Sequence, residues 1–264
     1  MLGKLLKYEI KAMGRIMLPI YLVLIALSAV FALTMRLTIG KTAVGFLEKF
    51  AIVTLVLFVA AIIAACVMML ILVIQRFYKH LLGTEGYLMF SLPVSTGQLI
   101  LSKLLTAVLW IVIGLIAGVL AGFAMVGILS SVPEFMKEVQ NAWNSLFTQA
   151  DLTRNLTLFV LVILAGVIAS LCKVYASLAI GHQFGRNRAL FAVFAYVAIG
   201  IAELIVAWVV SKIDASLGFR IFSGMSSSGL DLKNSLTAIG ISAIQICIYS
   251  VITWLLLDRR LNLE

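Results

Sequence analysis

The sequence predicts an all-α integral membrane protein: six transmembrane helices, both termini in the cytoplasm (N-in/C-in), an N-terminal interfacial helix and a stiff cytoplasmic hairpin. Three observations carry this reading. Of 264 residues, 63% are hydrophobic and only 12% charged, a balance foreign to water-soluble domains. Apolar windows of about 20 residues, enough to cross a hydrocarbon core of about 30 Å, recur along the whole chain. Finally, Lys and Arg favour alternate connections between those windows.

Residues 1–15 are expected to form an interfacial amphipathic helix. Leu2, Leu5, Leu6, Ile10 and Met13 recur at three- and four-residue steps while Lys4, Lys7 and Lys11 point elsewhere. The run after it continues to Met35, so it is read as a span rather than a cleaved leader. Residues 16–264 then form a single transmembrane domain. Its spans are drawn over residues 16–35, 50–75, 104–130, 156–180, 189–211 and 235–257. Between spans three and four, Phe135, Val139, Trp143 and Leu146 have helical spacing; the segment either rests on the outer surface or caps a path through the protein. Residues 212–234 are rich in Gly and Ser and read as a loop.

With the N-terminus inside, Lys4, Lys7, Lys11, Arg15, Arg76, Lys79, Lys103, Arg186, Arg188, Arg259 and Arg260 are cytoplasmic. Fewer basic residues fall outside, although the outer segments are longer. The net charge of +9 is spread over these connections rather than gathered on one soluble face, which argues for the lipid bilayer as its partner and against nucleic acid. Cys66, Cys172 and Cys247 each lie within an apolar span and read as small hydrophobic residues.

The most informative stretch is the hairpin 76–103, RFYKHLLGTEGYLMFSLPVSTGQLILSK. Gly83 and Thr84 can end one helix and cap the next, with Glu85 at the positive end of the new one. Pro93 pushes its predecessor out of the α region, so the short helix stops there. Ser95 and Gln98 have the spacing of a capping box that starts the third span. Tyr87, Leu88, Met89, Phe90 and Leu92 make this turn too apolar to sit in water. It must bury that surface against lipid, its own spans or another protein.

The pattern Phe77, Tyr78, Lys79, Leu82, Gly83, Glu85, Gly86, Tyr87, Leu88, Leu92, Pro93, Val94, Ser95 resembles the loop after the second span of small bacterial permeases. These are the membrane subunits of type-2 ATP-binding-cassette exporters, the type V fold. The resemblance is specific over about twenty residues and architectural elsewhere. It implies a bacterial cell membrane location, a second permease copy or related permease as partner, and a separate ATP-binding-cassette ATPase subunit. It further implies that residues 84–92 are the coupling helix, with Thr84, Glu85, Gly86, Tyr87, Leu88 and Phe90 meeting that ATPase. No cofactor is expected in this chain; ATP and Mg belong to the partner.

Within the membrane, Glu203 stands about 13 Å from Lys212 along its helix. A charge at that depth costs about 3 kcal/mol on insertion scales, so it faces protein or water. The last span presents Ser242, Gln245, Tyr249 and Thr253 as a polar stripe. Glu203, Ser242, Gln245 and Tyr249 therefore either line a translocation path or bond helices together, and Glu203 and Gln245 are candidate partners. Gly114, Gly118 and Gly122 allow close helix approach. Lys173 is expected to snorkel to the interface.

An enzyme is not expected. The chain's two histidines, His80 and His182, lie in connections, and no HExxH helix is present. Gly40-Lys41-Thr42 mimics the end of a phosphate-binding loop, but Met35 stands where the first glycine is required. The rival reading is a proton-coupled secondary transporter or channel that uses Glu203.

Overall fold

The computed structural model describes residues 2–38, 45–82, 95–130, 132–147, 152–184, 187–217 and 232–259. Among these, seven helices follow one another: α1 (Leu2–Thr38), α2 (Gly45–Phe77), α3 (Thr96–Leu129), α4 (Pro133–Phe147), α5 (Leu152–His182), α6 (Arg188–Leu217) and α7 (Leu232–Arg259). All but α4 are long and apolar enough to cross a membrane, giving the six spans of a multi-pass protein. Large apolar side chains cover the outside of these helices, Leu22, Val56, Val119, Leu161, Leu204 and Ile244 among them. Such a surface would be strongly unfavourable in water, whereas lipid solvates it without cost.

Several boundaries have plain local causes. The expected surface helix and the expected first span are one unbroken helix, α1, with Pro19 inside it. The change from basic to apolar composition near Arg15 does not end the helix, because backbone hydrogen bonding does not register side-chain polarity. α2 finishes in a π-helical turn, Tyr78–Leu82. α3 starts directly after Ser95, whose carbonyl accepts from the Gln98 and Leu99 amides. Pro133 occupies the first position of α4, where its missing N–H costs nothing.

The chain divides into two compact units. One comprises residues 3–73 and 105–150, hence most of α1 and α2, the distal part of α3, and α4. Leu24, Ala65 and Ala121 form one core cluster there, and Ala32, Leu129 and Val132 another, with Phe135 of α4 packed against it. The Tyr21 hydroxyl donates to the Trp110 carbonyl at 3.0 Å, and Gly114 leaves room for that ring: a Cβ there would lie 2.7 Å from the Tyr21 oxygen. Gly118 and Gly122, by contrast, face open space, so only the first of the three expected close approaches is used within this unit. The Thr34 and Thr54 hydroxyls pair at 3.0 Å, and Phe31 stacks on Phe58.

The other unit comprises residues 1–2, 74–104 and 151–264. Here α5 is central, packed on both α6 and α7. α5 and α6 approach so closely near their connection that a Cβ on Gly181 would run into the Ala192 backbone, and Phe184 stacks on Phe191 there at 4.6 Å. The predicted loop over 212–234 is partly helix, since α6 runs to Leu217 and α7 begins at Leu232; its remainder lies outside the described residues.

Candidate functional site

Three helices of the second unit bring one charged cluster together at mid-span. Glu203 comes from α6, Lys173 from α5, and Gln245 and Tyr249 from α7, where a four-residue step puts both on one face. Lys173 Nζ lies 2.5 Å from Glu203 Oε2. Gln245 Nε2 donates to Glu203 Oε1 at 3.1 Å, and the Tyr249 hydroxyl donates to the same oxygen at 2.5 Å. The ammonium also sits 4.9 Å from the centre of the Tyr196 ring, a cation–π contact. Gly200 also faces the cluster: a Cβ there would lie at contact distance, 3.4 Å, from Lys173 Nζ.

This geometry sets what the cluster can do. Three donors converge on one carboxylate, and a full positive charge balances it. Each charge alone would be expensive inside the membrane, while the pair together is neutral. The side chains are 13% and 28% exposed for Lys173 and Glu203, so the pair is largely enclosed by α5, α6 and α7. Because α6 is otherwise nearly bare, with 6% of its apolar window buried, Glu203 is a main tie holding it across α5 and α7. The enclosed face of α6 carries Ala192, Ala195, Ile199 and Gly200 on the way to Glu203, and Ile199 packs on the α5–α7 core. With three donors on its two oxygens, the Glu203 carboxylate links α6 to both α5 and α7.

The snorkelling expected of Lys173 does not occur; the structure turns the side chain inward to Glu203. Side chains on a helix lean toward its N-terminus, which for α5 is away from the His182 end. Lys173 also lies nine residues, about 13 Å, from His182, beyond the reach of its own stem. Nine residues forward from Arg188, where α6 starts, is Val197, so Lys173 and Val197 stand level. One or two further turns reach Gly200 and Glu203, a signal the sequence does contain. Ser242 is half-buried on the same stripe, and no hydrogen bond ties it to the cluster among the described residues. Thr253 is buried and bonds the Tyr249 carbonyl of its own helix.

The expected coupling residues Thr84, Glu85, Gly86, Tyr87, Leu88 and Phe90 lie outside the described residues. Their flanks are described, and each is tied to a neighbouring helix. Phe77 is fully buried and stacks on Tyr175 of α5 with ring centres 4.2 Å apart. Tyr78 meets His182 edge-on, and Arg188 Nη1 lies 3.2 Å from His182 Nε2. On the other flank the Thr96 hydroxyl donates to Asp258 of α7 at 3.2 Å, and Leu99 is buried. Comparison with protein-family models, curated proteins and solved structures finds no match for this chain.

Proposed function

We propose that this chain is the membrane-spanning permease subunit of an ATP-binding-cassette exporter in a bacterial cell membrane, driven by a separate ATPase subunit. The observation that carries the reading is the anchoring of the 76–103 hairpin at both ends. Phe77 is stacked into α5 and Thr96 is tied to α7, so a displacement of the apolar tip enters the helices that hold Glu203. A loosely hung loop would dissipate the same push. The tip's residues, Glu85 with Tyr87, Leu88 and Phe90, suit a cleft on a soluble protein, which the resemblance to type-2 exporters supplies as the ATPase. In the proposed cycle, two permeases enclose a path and two ATPases dock on the 84–92 segments. ATP-driven closure draws those segments together and tilts α2 and α3.

The rival reading, proton coupling through Glu203, draws on the same cluster, in which Lys173, Gln245 and Tyr249 hold the carboxylate between α5 and α7. The test is affinity purification of the tagged protein from its native host with mass spectrometry of everything retained. Recovery of an ATP-binding-cassette ATPase with the wild type, and its loss with Leu88→Glu, is expected. Reproducible absence of any ATPase would overturn the reading.

A further inference from the structure

The face of α1 that looks away from the core is built lengthwise like a phospholipid. Lys7, Lys11 and Arg15 follow one another at four-residue steps and are all exposed. At 100° per residue they span about 80° of the helix circumference, and Leu18 and Leu22 fall inside the same sector. Those two leucines are 53% and 66% exposed. Tyr8, at the edge of the sector, is 73% exposed. The core residues Met13, Met17 and Leu24 lie on the other side of the helix. Glu9, the only acid in α1, is buried on that core side, leaving the basic ladder with no acid on its own face of the helix.

The depth of the ladder follows from α1 being one continuous helix. Between Arg15 and Arg36 no charged residue occurs. Those twenty-one steps cover about 31 Å, the thickness of the hydrocarbon core. Arg15 thus stands at the hydrocarbon boundary, Lys11 about 6 Å and Lys7 about 12 Å beyond it. A headgroup layer is about 5–8 Å deep, so Arg15 and Lys11 bracket the phosphate of a lipid whose acyl chain runs along Leu18 and Leu22.

We infer that this sector of α1 is a binding site for an anionic phospholipid, with Lys11 and Arg15 on the phosphate, Leu18 and Leu22 against an acyl chain, and Lys7 beyond the headgroup adding to the positive field that attracts it. The site is independent of what the protein transports and of any ATPase.

The test compares purified wild type with Lys7→Gln/Lys11→Gln/Arg15→Gln in vesicles and nanodiscs of phosphatidylcholine containing a minor fraction of phosphatidylglycerol, reading retained lipid by native mass spectrometry. Each basic residue near an anionic surface contributes about fivefold in affinity, so the triple variant should retain phosphatidylglycerol about a hundredfold more weakly and lose its preference over phosphatidylcholine. The three side chains are exposed, so its unfolding temperature in pure phosphatidylcholine should match wild type. A second variant, Leu18→Ser/Leu22→Ser, keeps the charges and should also release the lipid faster, and glycerol phosphate at the same concentration should not compete. Equal retention of phosphatidylglycerol by wild type and the triple variant, or displacement by glycerol phosphate, would overturn the inference.

Discussion

Glu203→Gln is the substitution that most directly probes the mid-span cluster. The change keeps size and shape but removes the charge that balances Lys173. The new amide nitrogen then faces the ammonium, donor against donor, at a position where the wild-type oxygen lies 2.5 Å away. Removing one partner of an enclosed ion pair costs about 3–5 kcal/mol. With 13% and 28% of the two side chains exposed, the lower end applies, about 3 kcal/mol. For a chain of this size that lowers the midpoint of thermal unfolding by about 6–12 °C. The assay is intrinsic tryptophan fluorescence during heating in a mild detergent. Lys173→Met should cost a similar amount, because it strands the carboxylate instead. The double variant Lys173→Met/Glu203→Gln leaves no stranded charge, and the introduced amide oxygen still accepts from Gln245 and Tyr249, so it should lose only about 1 kcal/mol. The two single costs should therefore exceed the double by several kcal/mol. If the single effects simply add, within about 0.5 kcal/mol, the two residues do not form the pair and the reasoning fails.

Other expected outcomes follow from close approaches and buried rings. Gly181→Ala should destabilise by at least about 1–3 kcal/mol, since its Cβ meets the Ala192 backbone, whereas Gly118→Ala, with open space around it, should stay within about 0.5 kcal/mol; the same melting assay compares them. Gly114→Ala should displace the Tyr21 ring and break its bond to the Trp110 carbonyl, again costing about 1–3 kcal/mol, and limited proteolysis should detect the loosened unit. Phe77→Ala removes a fully buried ring stacked on Tyr175 and should cost about 3–5 kcal/mol. Phe77→Leu should cost far less in melting while still weakening any response of α5 to force on the hairpin, read as a smaller nucleotide-dependent change in a spin-label distance from α5 to α6.

Much of the architecture is legible in the sequence because lipid imposes a simple rule: every span must close its backbone hydrogen bonds within itself and present apolar side chains outward. Runs such as the one from Val53 to Ile74 meet that rule with little room for another reading. The meeting of Glu203 and Gln245 is legible for a related reason, since two polar groups at similar depth cannot both face lipid. Lys173 misleads because its place two turns inside the expected end of the span invites snorkelling, whereas its partner is Glu203 on α6, a neighbour that spacing along α5 does not reveal. The unbroken course of α1 is obscured by its change in polarity, which mimics a boundary although no cap stands at Arg15. The split use of Gly114, Gly118 and Gly122 is not legible at all, because spacing shows which residues share a face and not which neighbour arrives.

The central claim, that the 84–92 segment seats an ATPase, is tested most directly by replacing Leu88 with a photo-crosslinking phenylalanine analogue in the native host. Leu204, 71% exposed on the apolar face of α6, serves as the control position. Illumination should join position 88, and not position 204, to a protein identified by mass spectrometry as an ATP-binding-cassette ATPase. Adducts at position 88 only with lipid, or with no ATPase among its protein adducts, would contradict the account.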